Sequence, residues 1–237
     1  MKLVEPYARL YEESDNLLKV ATIARTCTGT EEKASQDTEG FCRRLLERSH
    51  GTPFEHVWVK ADSFKVSEFL VGHDIYGMRD RWDRTCMESI NGRDFLAMGG
   101  TLGELQKAPQ CQGVYTFEIQ CDIGLSRELI RHRQMSFMER STRYCKEIAF
   151  IVPEKLDGFI GHELARISET YEGLLRGNME PQYARYILPL CTATKLYMTG
   201  TMSQWDDVLE LRLGSGAHPE MKKLMTQVKE ALDSKRK

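Results

Sequence analysis

The sequence lacks the features that mark a membrane protein, a secreted protein or a binder of a nucleic-acid polymer. No apolar run approaches the roughly 18 residues of a membrane span, and residues 1–9 contain no apolar signal core. Basic residues are not in excess, because 33 Lys and Arg stand against 35 Asp and Glu, a net charge of −2. We therefore expect neither a membrane nor a nucleic-acid polymer as a partner.

The cysteines and histidines form no recognisable framework. The seven cysteines are odd in number and widely spaced, without a CxxC pair, and no HExxH motif occurs. This pattern predicts neither a disulfide network nor a metal site, but reduced thiols in a cytoplasmic protein.

Familiar nucleotide-binding and nucleophile motifs are also missing. The sequence holds no GxGxxG fingerprint, no Walker A loop and no GxSxG elbow. A nucleotide or flavin enzyme with this sequence must bind its ligands by another arrangement.

The periodicities that are present indicate an α+β fold with long helices and few strands. A length of 237 residues, with 41% hydrophobic and 29% charged residues, is typical of one globular domain spanning 1–237. Asp122 is predicted as an N-cap. Helices are predicted over 38–48, 123–133, 161–177, 202–213 and 218–232, and strands over 57–64 and 114–121. Apolar and polar residues alternate over 114–121, which predicts a half-buried strand with one face toward solvent. The glycine-rich segment 67–112 has weak periodicity, and we interpret it as an insertion or a lid.

The feature that stands out is a concentration of arginines in a neutral chain: Arg127, Arg131, Arg133, Arg140 and Arg143. Guanidinium groups bind phosphates and carboxylates through paired hydrogen bonds and stack on planar rings. Glu139, Ser136 and Ser141 add polar groups suited to a sugar, so the segment suggests a nucleotide ligand. A solvated basic turn at a helix C-terminus has about equal weight from composition alone. A Ser141–His132 nucleophile is the weaker alternative, because no third residue orients it.

These residues resemble the signature of the flavin-dependent thymidylate synthases, the ThyX family. Arg131-His132-Arg133, seven residues and then Ser141 match its RHR-x7-S motif. Further segments of this sequence resemble other blocks of the family, in the same order. They are Ala24 to Cys27, His50 to His56, Glu139 to Tyr144, Ala184-Arg185 with Leu188-Pro189, Leu211-Arg212, and Ala217 with Glu220.

The resemblance implies a single compact ThyX-like domain, with a small antiparallel sheet flanked by long helices. It implies methylation of dUMP to dTMP, in which methylenetetrahydrofolate supplies the carbon and NADPH reduces bound FAD. The flavin N5 supplies the hydride. It also implies a homotetramer whose active sites are shared between subunits, with a pyrimidine mononucleotide as substrate.

The resemblance also assigns roles to individual residues. Arg212 would act in catalysis by favouring the N3-ionised pyrimidine, a form of electrostatic stabilisation; without the family match it would be read as a surface arginine. The implied substrate contacts are Glu128, Arg131, Glu139, Arg140, Ser141, Thr142, Arg143 and Arg185. The implied flavin contacts are His50, Thr52, Arg131, His132, Arg133, Glu139, Thr201, Ser203 and Asp207.

Four positions depart from the family pattern, and all concern the flavin and folate side. Met138, Thr201, Ser203 and Asp207 stand where amides, a guanidinium or a histidine are usual. Two alternatives therefore stay open beside thymidylate synthesis. One is a variant that methylates UMP or hydroxymethylates dUMP, and the other is a non-catalytic nucleotide-binding protein.

Overall fold

The computed structural model describes residues 1–60, 89–156 and 158–236, and its centre is a four-stranded antiparallel sheet. The strand order is β1-β4-β6-β5, and a separate ribbon pairs β2 with β3. The strands are β1 Tyr7–Leu10, β2 Trp58–Lys60, β3 Ser89–Asn91, β4 Val114–Asp122, β5 Ser136–Glu139 and β6 Ala193–Thr201. The small antiparallel sheet and its helices confirm the predicted α+β class.

Helices surround the sheet on both faces. The α-helices are α1 Asn16–Arg25, α2 Thr38–Glu47, α3 Gly92–Ala97, α4 Leu102–Lys107, α5 Ile123–Leu129, α6 Gly161–Arg176, α7 Pro181–Ala184, α8 Met202–Leu213 and α9 Pro219–Lys235. Short 3-10 helices cover Thr26–Thr28, Glu31–Lys33, Thr52–His56, Glu154–Leu156 and Arg185–Ile187. Within the described ranges, no helix is both long and apolar enough to cross a bilayer.

The predicted elements are present, and their ends carry one correction. The helix predicted over 123–133 ends at Leu129, because the chain must turn before it enters β5 at Ser136. Its predicted N-cap is confirmed, since the Asp122 carboxylate accepts a 2.8 Å hydrogen bond from the amide of Leu125. The strand predicted over 57–64 is seen at Trp58–Lys60, and residues 61–64 lie outside the described part.

One face of the sheet is apolar and packs against α8 and α9. Phe117 and Ile119 of β4 are buried there beside Trp205 of α8 and Met221 of α9. The rings of Phe117 and Trp205 meet edge to face at 4.9 Å. Each large side chain buried in this way contributes about 1.5–3 kcal/mol, so this cluster is a principal source of stability.

The other face of the sheet is polar and, contrary to the prediction for β4, it is not open to solvent. Glu118 is only 3% exposed, and Thr116, Tyr197 and Thr199 beside it are also buried. His56 Nδ1 lies 2.7 Å from Thr199 Oγ1, which lies 2.8 Å from Thr116 Oγ1. We call these five side chains the polar layer. The N-terminal helices cover this face of the sheet, which the alternation in β4 predicted to be exposed to solvent.

A second apolar cluster lies beyond the polar layer. It joins Leu17 and Val20 of α1 to Phe54, Ile90 and Leu105. The last two residues fall within the segment 67–112, whose described part, 89–112, therefore contributes to a core. Residues 67–88 lie outside the described part, so the interpretation of this segment as an insertion or lid stays a prediction.

Candidate active site

Several of the predicted substrate residues surround one cavity at the end of the sheet. The cavity measures about 620 Å³ and is lined by polar side chains from β5, the segment after it and the 3-10 helix Arg185–Ile187. The polar lining includes Arg127, Glu139, Arg140, Ser141, Thr142, Arg185 and Thr194. We call it the arginine cavity, because three guanidinium groups converge on a space large enough for a nucleotide.

Glu139 is held at the floor of this cavity by two hydroxyl groups. Its Oε1 accepts hydrogen bonds from Ser126 Oγ at 2.7 Å and from Thr194 Oγ1 at 2.8 Å. Ser126 belongs to α5 and Thr194 to β6, and both are buried. Two donors on one oxygen fix the carboxylate. Within the described part of the chain Oε2 accepts no hydrogen bond, so it is available as an acceptor for a ligand hydroxyl.

The chain around Ser141 is fixed through its backbone. The Ser141 amide donates to the carbonyl of Cys27 at 3.1 Å, and the Ser141 carbonyl accepts from Cys145 at 2.9 Å. The amide of Arg143 donates to Ser141 Oγ at 3.2 Å. Arg185 approaches from the other wall, with Nη1 3.5 Å from Thr142 Oγ1. The cavity is therefore built from segments far apart in sequence.

Arg212 lies in a second, separate cavity of about 870 Å³, together with Glu128 and Asp207. Its side chain is 12% exposed. Nη1 donates to the Glu128 carboxylate at 2.9 Å, and Nη2 donates to the Glu128 carbonyl at 2.5 Å. The guanidinium is thus fixed from one side, and it shares its cavity with no residue that lines the arginine cavity.

His132 completes the environment of Arg212. Arg212 Nε donates to His132 Nε2 at 2.9 Å, so Nε2 must carry a lone pair and the ring proton must sit on Nδ1. Burial and the Arg212 charge lower the pKa of His132, and Asp207 opposes this effect. The neutral ring is therefore the form that this contact requires.

Of the other predicted residues, Asp207 lines the Arg212 cavity, and the rest line neither cavity. Arg131, Arg133 and Arg143 are exposed, and so are His50, Thr52, Ser203 and Asp207. Thr201 is buried and caps α8, since its hydroxyl accepts from the Gln204 amide at 3.3 Å. Met138 faces Cys27, with its Sδ 3.0 Å from Cys27 Sγ. Among the cavities of the described part, the predicted flavin contacts thus share no common one: Glu139 lines the arginine cavity, Asp207 lines the Arg212 cavity, and Thr201 is buried.

Sequence reasoning did not assign site roles to Arg127 and Thr194, which line the arginine cavity, or to Ser126, which contacts Glu139. Arg127 belongs to the arginine concentration but matched no motif block. Ser126 and Thr194 carried no signal at all, because a serine on a helix and a threonine in a strand are ordinary. Only the contact of both with Glu139 marks them as part of the site.

Together these groups suit an anionic, hydroxylated and planar ligand. The guanidinium groups of the arginine cavity can pair with phosphate oxygens. The Glu139 carboxylate can accept from a hydroxyl, and the Arg212 side chain can stabilise negative charge on a ring. Within the described ranges, no group of three His, Cys, Asp or Glu side chains is arranged to hold a metal ion.

Curated proteins of one named class match parts of this chain. A probable flavin-dependent thymidylate synthase of Paramecium bursaria Chlorella virus 1 is 29% identical over 138 residues, covering 48% of this chain and 64% of the relative. The flavin-dependent thymidylate synthase of Thermotoga neapolitana is 32% identical over 121 residues, covering 46% and 56%. These matches thus span between half and two thirds of the length of the two curated relatives.

The fold matches a solved structure over almost its whole length. The UMP/dUMP methylase PolB from Streptomyces cacaoi, bound with 5-Br UMP, superposes with a TM-score of 0.51 at 22% identity. The match covers 99% of this chain and 92% of that one. Because the identity is only 22%, this likeness is evidence for the fold alone.

A family model described as "Thymidylate synthase complementing protein" matches residues 103–235. This range includes the arginine cavity, the Arg212 cavity and three of the four strands of the main sheet, β4, β5 and β6. Because the match extends over more than half of the sequence, this chain belongs to the Thymidylate synthase complementing protein family.

Proposed function

We propose that this chain catalyses the flavin-dependent methylation of dUMP to dTMP, with methylenetetrahydrofolate as carbon donor and NADPH as reductant. The observation that carries the proposal is the arginine cavity, where three guanidinium groups, the fixed Glu139 and Ser141 meet. Membership of the family and the names of its curated relatives support the same reaction class.

In this proposal the arginine cavity binds the nucleotide. Arg127, Arg140 and Arg185 pair with the phosphate, and Ser141 and Thr142 add hydroxyl groups nearby. Glu139 accepts a hydrogen bond from the sugar through Oε2, while Ser126 and Thr194 hold Oε1. The phosphate contacts position the substrate, and the carboxylate fixes the orientation of the sugar.

Arg212 acts on the pyrimidine ring. Its positive charge stabilises a ring ionised at N3, which raises electron density at the carbon that receives the methyl group. Glu128 and His132 hold the guanidinium at a defined position before substrate arrives. Preorganisation of this kind costs no rearrangement during the reaction.

The exposed cations of the motif fit part of a flavin site. Arg131 and Arg133 are exposed guanidinium groups suited to the diphosphate of FAD, with His50 and Thr52 as further proposed contacts. FAD, when bound, supplies hydride chemistry that the side chains do not provide. The Thr201 hydroxyl is engaged in capping α8, so it fits this role only if that cap opens.

The separation of the two cavities supports the further proposal that active sites are completed between subunits of a homotetramer. The Arg212 cavity and the arginine cavity share no lining residue. Beside the arginine cavity, Tyr183 is 59% exposed and Tyr186 is 82% exposed. Large exposed aromatic side chains are enriched at protein interfaces, so this surface is suited to a second copy of the chain.

A second candidate function is methylation of UMP or hydroxymethylation of dUMP. The observation that favours it is the uneven divergence of the site. The arginines of the motif are retained, whereas Met138, Thr201, Ser203 and Asp207 change the flavin and folate side. An altered lining on that side changes the transferred group more readily than the acceptor nucleotide, so it favours hydroxymethylation of dUMP over methylation of UMP.

The decisive experiment is a product assay with purified protein. Incubation with FAD, NADPH, methylenetetrahydrofolate and either dUMP or UMP, followed by mass spectrometry, separates methyl from hydroxymethyl and deoxyribose from ribose. We expect dTMP from dUMP and a flavin absorbance spectrum. Nucleotide binding without flavin uptake or any product would instead support the non-catalytic alternative.

Arg212→Ala provides the matched test of mechanism. The variant should keep its fold and bind dUMP but lose at least about a hundredfold in turnover, as expected for removal of a key charge-stabilising group. Arg43→Ala, on the exposed side of α2, is the control and should not change the rate. Turnover near that of the control would contradict the assigned role of Arg212.

A further inference from the structure

A third cavity opens at the edge of the polar layer, apart from the two cavities described above. It measures about 620 Å³ and lies between α1, the segment after β1 and the start of β4. Its lining includes Lys19, Tyr11, Val114 and Thr116, and none of its lining residues belongs to the arginine or Arg212 cavity. The proposed methylation uses none of these side chains.

Lys19 is the unusual group in this cavity, because it is buried without a direct counter-ion. Only 6% of the residue is exposed, and within the described ranges its ammonium group forms no hydrogen bond or ion pair. The nearby carboxylates are engaged elsewhere. Glu12 pairs with Lys235 at 2.7 Å, and Glu13 accepts from the Asp15 amide at 2.9 Å.

The charge balance leaves Lys19 under-compensated. Burial lowers the pKa of its ammonium to about 8, and the charges of Glu13 and Glu12 offset this only in part. A buried charge without a direct partner is costly, so a methionine of similar length would make this position more stable. Proteins retain such costly groups mainly where a ligand or a reaction needs them.

We propose that this cavity binds a small organic carboxylate, whose carboxylate group pairs with Lys19 and whose body contacts Tyr11 and Val114. The volume lies within the range of ordinary small-molecule sites. Glu12 and Glu13 at the lining disfavour a dianion such as phosphate, which would face two like charges, and so favour a monoanion. This inference does not depend on the proposed methylation.

The test uses 1-naphthoate as an organic carboxylate probe and 1-naphthamide as its neutral match, with binding to the full chain measured by calorimetry. We expect saturable binding of one naphthoate per chain, and binding at least about tenfold weaker for naphthamide. Lys19→Met should weaken naphthoate binding at least about tenfold, because a charge-assisted contact is worth more than 1.4 kcal/mol. Lys19→Arg keeps the charge and should bind within about threefold of the parent.

Two control variants separate this site from other cations. Lys229→Met removes an exposed lysine of α9 that lies outside this cavity, and Arg185→Ala removes a guanidinium of the arginine cavity. Both should retain naphthoate binding. Loss of binding in Arg185→Ala but not in Lys19→Met would place the carboxylate in the arginine cavity and overturn the proposal, as would the absence of any binding.

A second readout keeps the test independent of folding and of methylation. Lys19→Met should raise the melting temperature, since it removes an unpaired buried charge, so weaker binding in that variant cannot be ascribed to unfolding. Production of dTMP by Lys19→Met should match the parent if the methylation proposal is correct. A failure of the product assay in both proteins would bear on the methylation alone.

Discussion

At the scale of single residues, Glu118 is the one carboxylate of the polar layer, and three donors contact it. It accepts hydrogen bonds from the hydroxyls of Tyr7 at 2.5 Å and Tyr197 at 2.7 Å, and from Arg9 at 2.8 Å. Burial by itself would raise the pKa of Glu118, but these three donors together lower it below its ordinary value. The ionised form is therefore a structural requirement.

This lowered pKa predicts a stability that depends on pH. A carboxylate with a lowered folded-state pKa stabilises the protein above its unfolded pKa of about 4.3, and the contribution is lost as pH falls through the folded value. Glu118→Gln should cost about 2–3 kcal/mol at pH 7. It should also flatten the loss of stability as pH falls below about 4.3, the unfolded value. Urea unfolding at several pH values measures both effects, and Glu230→Gln on α9 is the exposed control. Parallel pH curves for parent and Glu118→Gln would contradict this role.

His132 gives a second prediction at this scale. Its pKa is lowered by burial and by Arg212, so Arg212→Ala should raise it toward the ordinary value of about 6.5. Asp207→Asn should lower it further, because Asp207 favours the charged ring. Titration of the His132 ring signals by NMR tests both shifts. An unchanged His132 pKa in Arg212→Ala would show that the contact is absent in solution.

Single residues also show how much of the candidate site could be predicted from the sequence. Three separate motif blocks that resemble the ThyX family implied substrate contacts at Glu139, Ser141 and Arg185, and these three residues line one cavity. The contact between His132 and Arg212 spans 80 positions of the chain, so no local pattern contains it. Lys19 likewise reads as an ordinary helix residue until its burial is seen.

At the scale of elements, the junction of β6 and α8 depends on a capping box. Thr201 Oγ1 accepts from the Gln204 amide, and Gln204 Oε1 accepts from the Thr201 amide at 2.9 Å. Gln204 Nε2 also donates to the carbonyl of Gln134 at 3.0 Å. The start of α8 is thereby tied to the turn that follows His132.

Thr201→Ala should remove this cap and destabilise the protein by about 1–2 kcal/mol. Thr201→Ser keeps the hydroxyl and should lose less than about half of that amount. Thermal unfolding of both variants provides the comparison. Equal stability of the alanine and serine variants would mean that the hydroxyl does not hold α8.

The strands differ in how well they could be predicted from their sequences. β4 was predicted because Tyr115, Phe117 and Ile119 alternate with polar residues. β6 was not predicted, since its Leu196, Tyr197 and Met198 run together and both of its faces are buried. The alternation of β4 was then misleading in one respect, because Glu118 and Thr116 face the polar layer rather than water.

At the scale of the whole molecule, the proposed tetramer has a direct test. Tyr186→Asp places a charge on the exposed aromatic surface beside the arginine cavity, and it should shift the protein to smaller species and reduce dTMP formation. Light scattering after gel filtration gives the mass, and Glu230→Lys on the exposed side of α9 is the control. A stable flavin-bound monomer of the parent chain would contradict shared active sites.

The polar layer has a consequence for local unfolding of this molecule. It separates the apolar cluster of α8 and α9 from that of α1, so hydrophobic burial is not continuous between them. Cooperative units of local unfolding follow continuous apolar contact. In native-state hydrogen exchange we therefore expect the amides of α1 to exchange through a smaller opening than those of β4 and β6. Exchange of all three at one common free energy would instead mark a single cooperative unit.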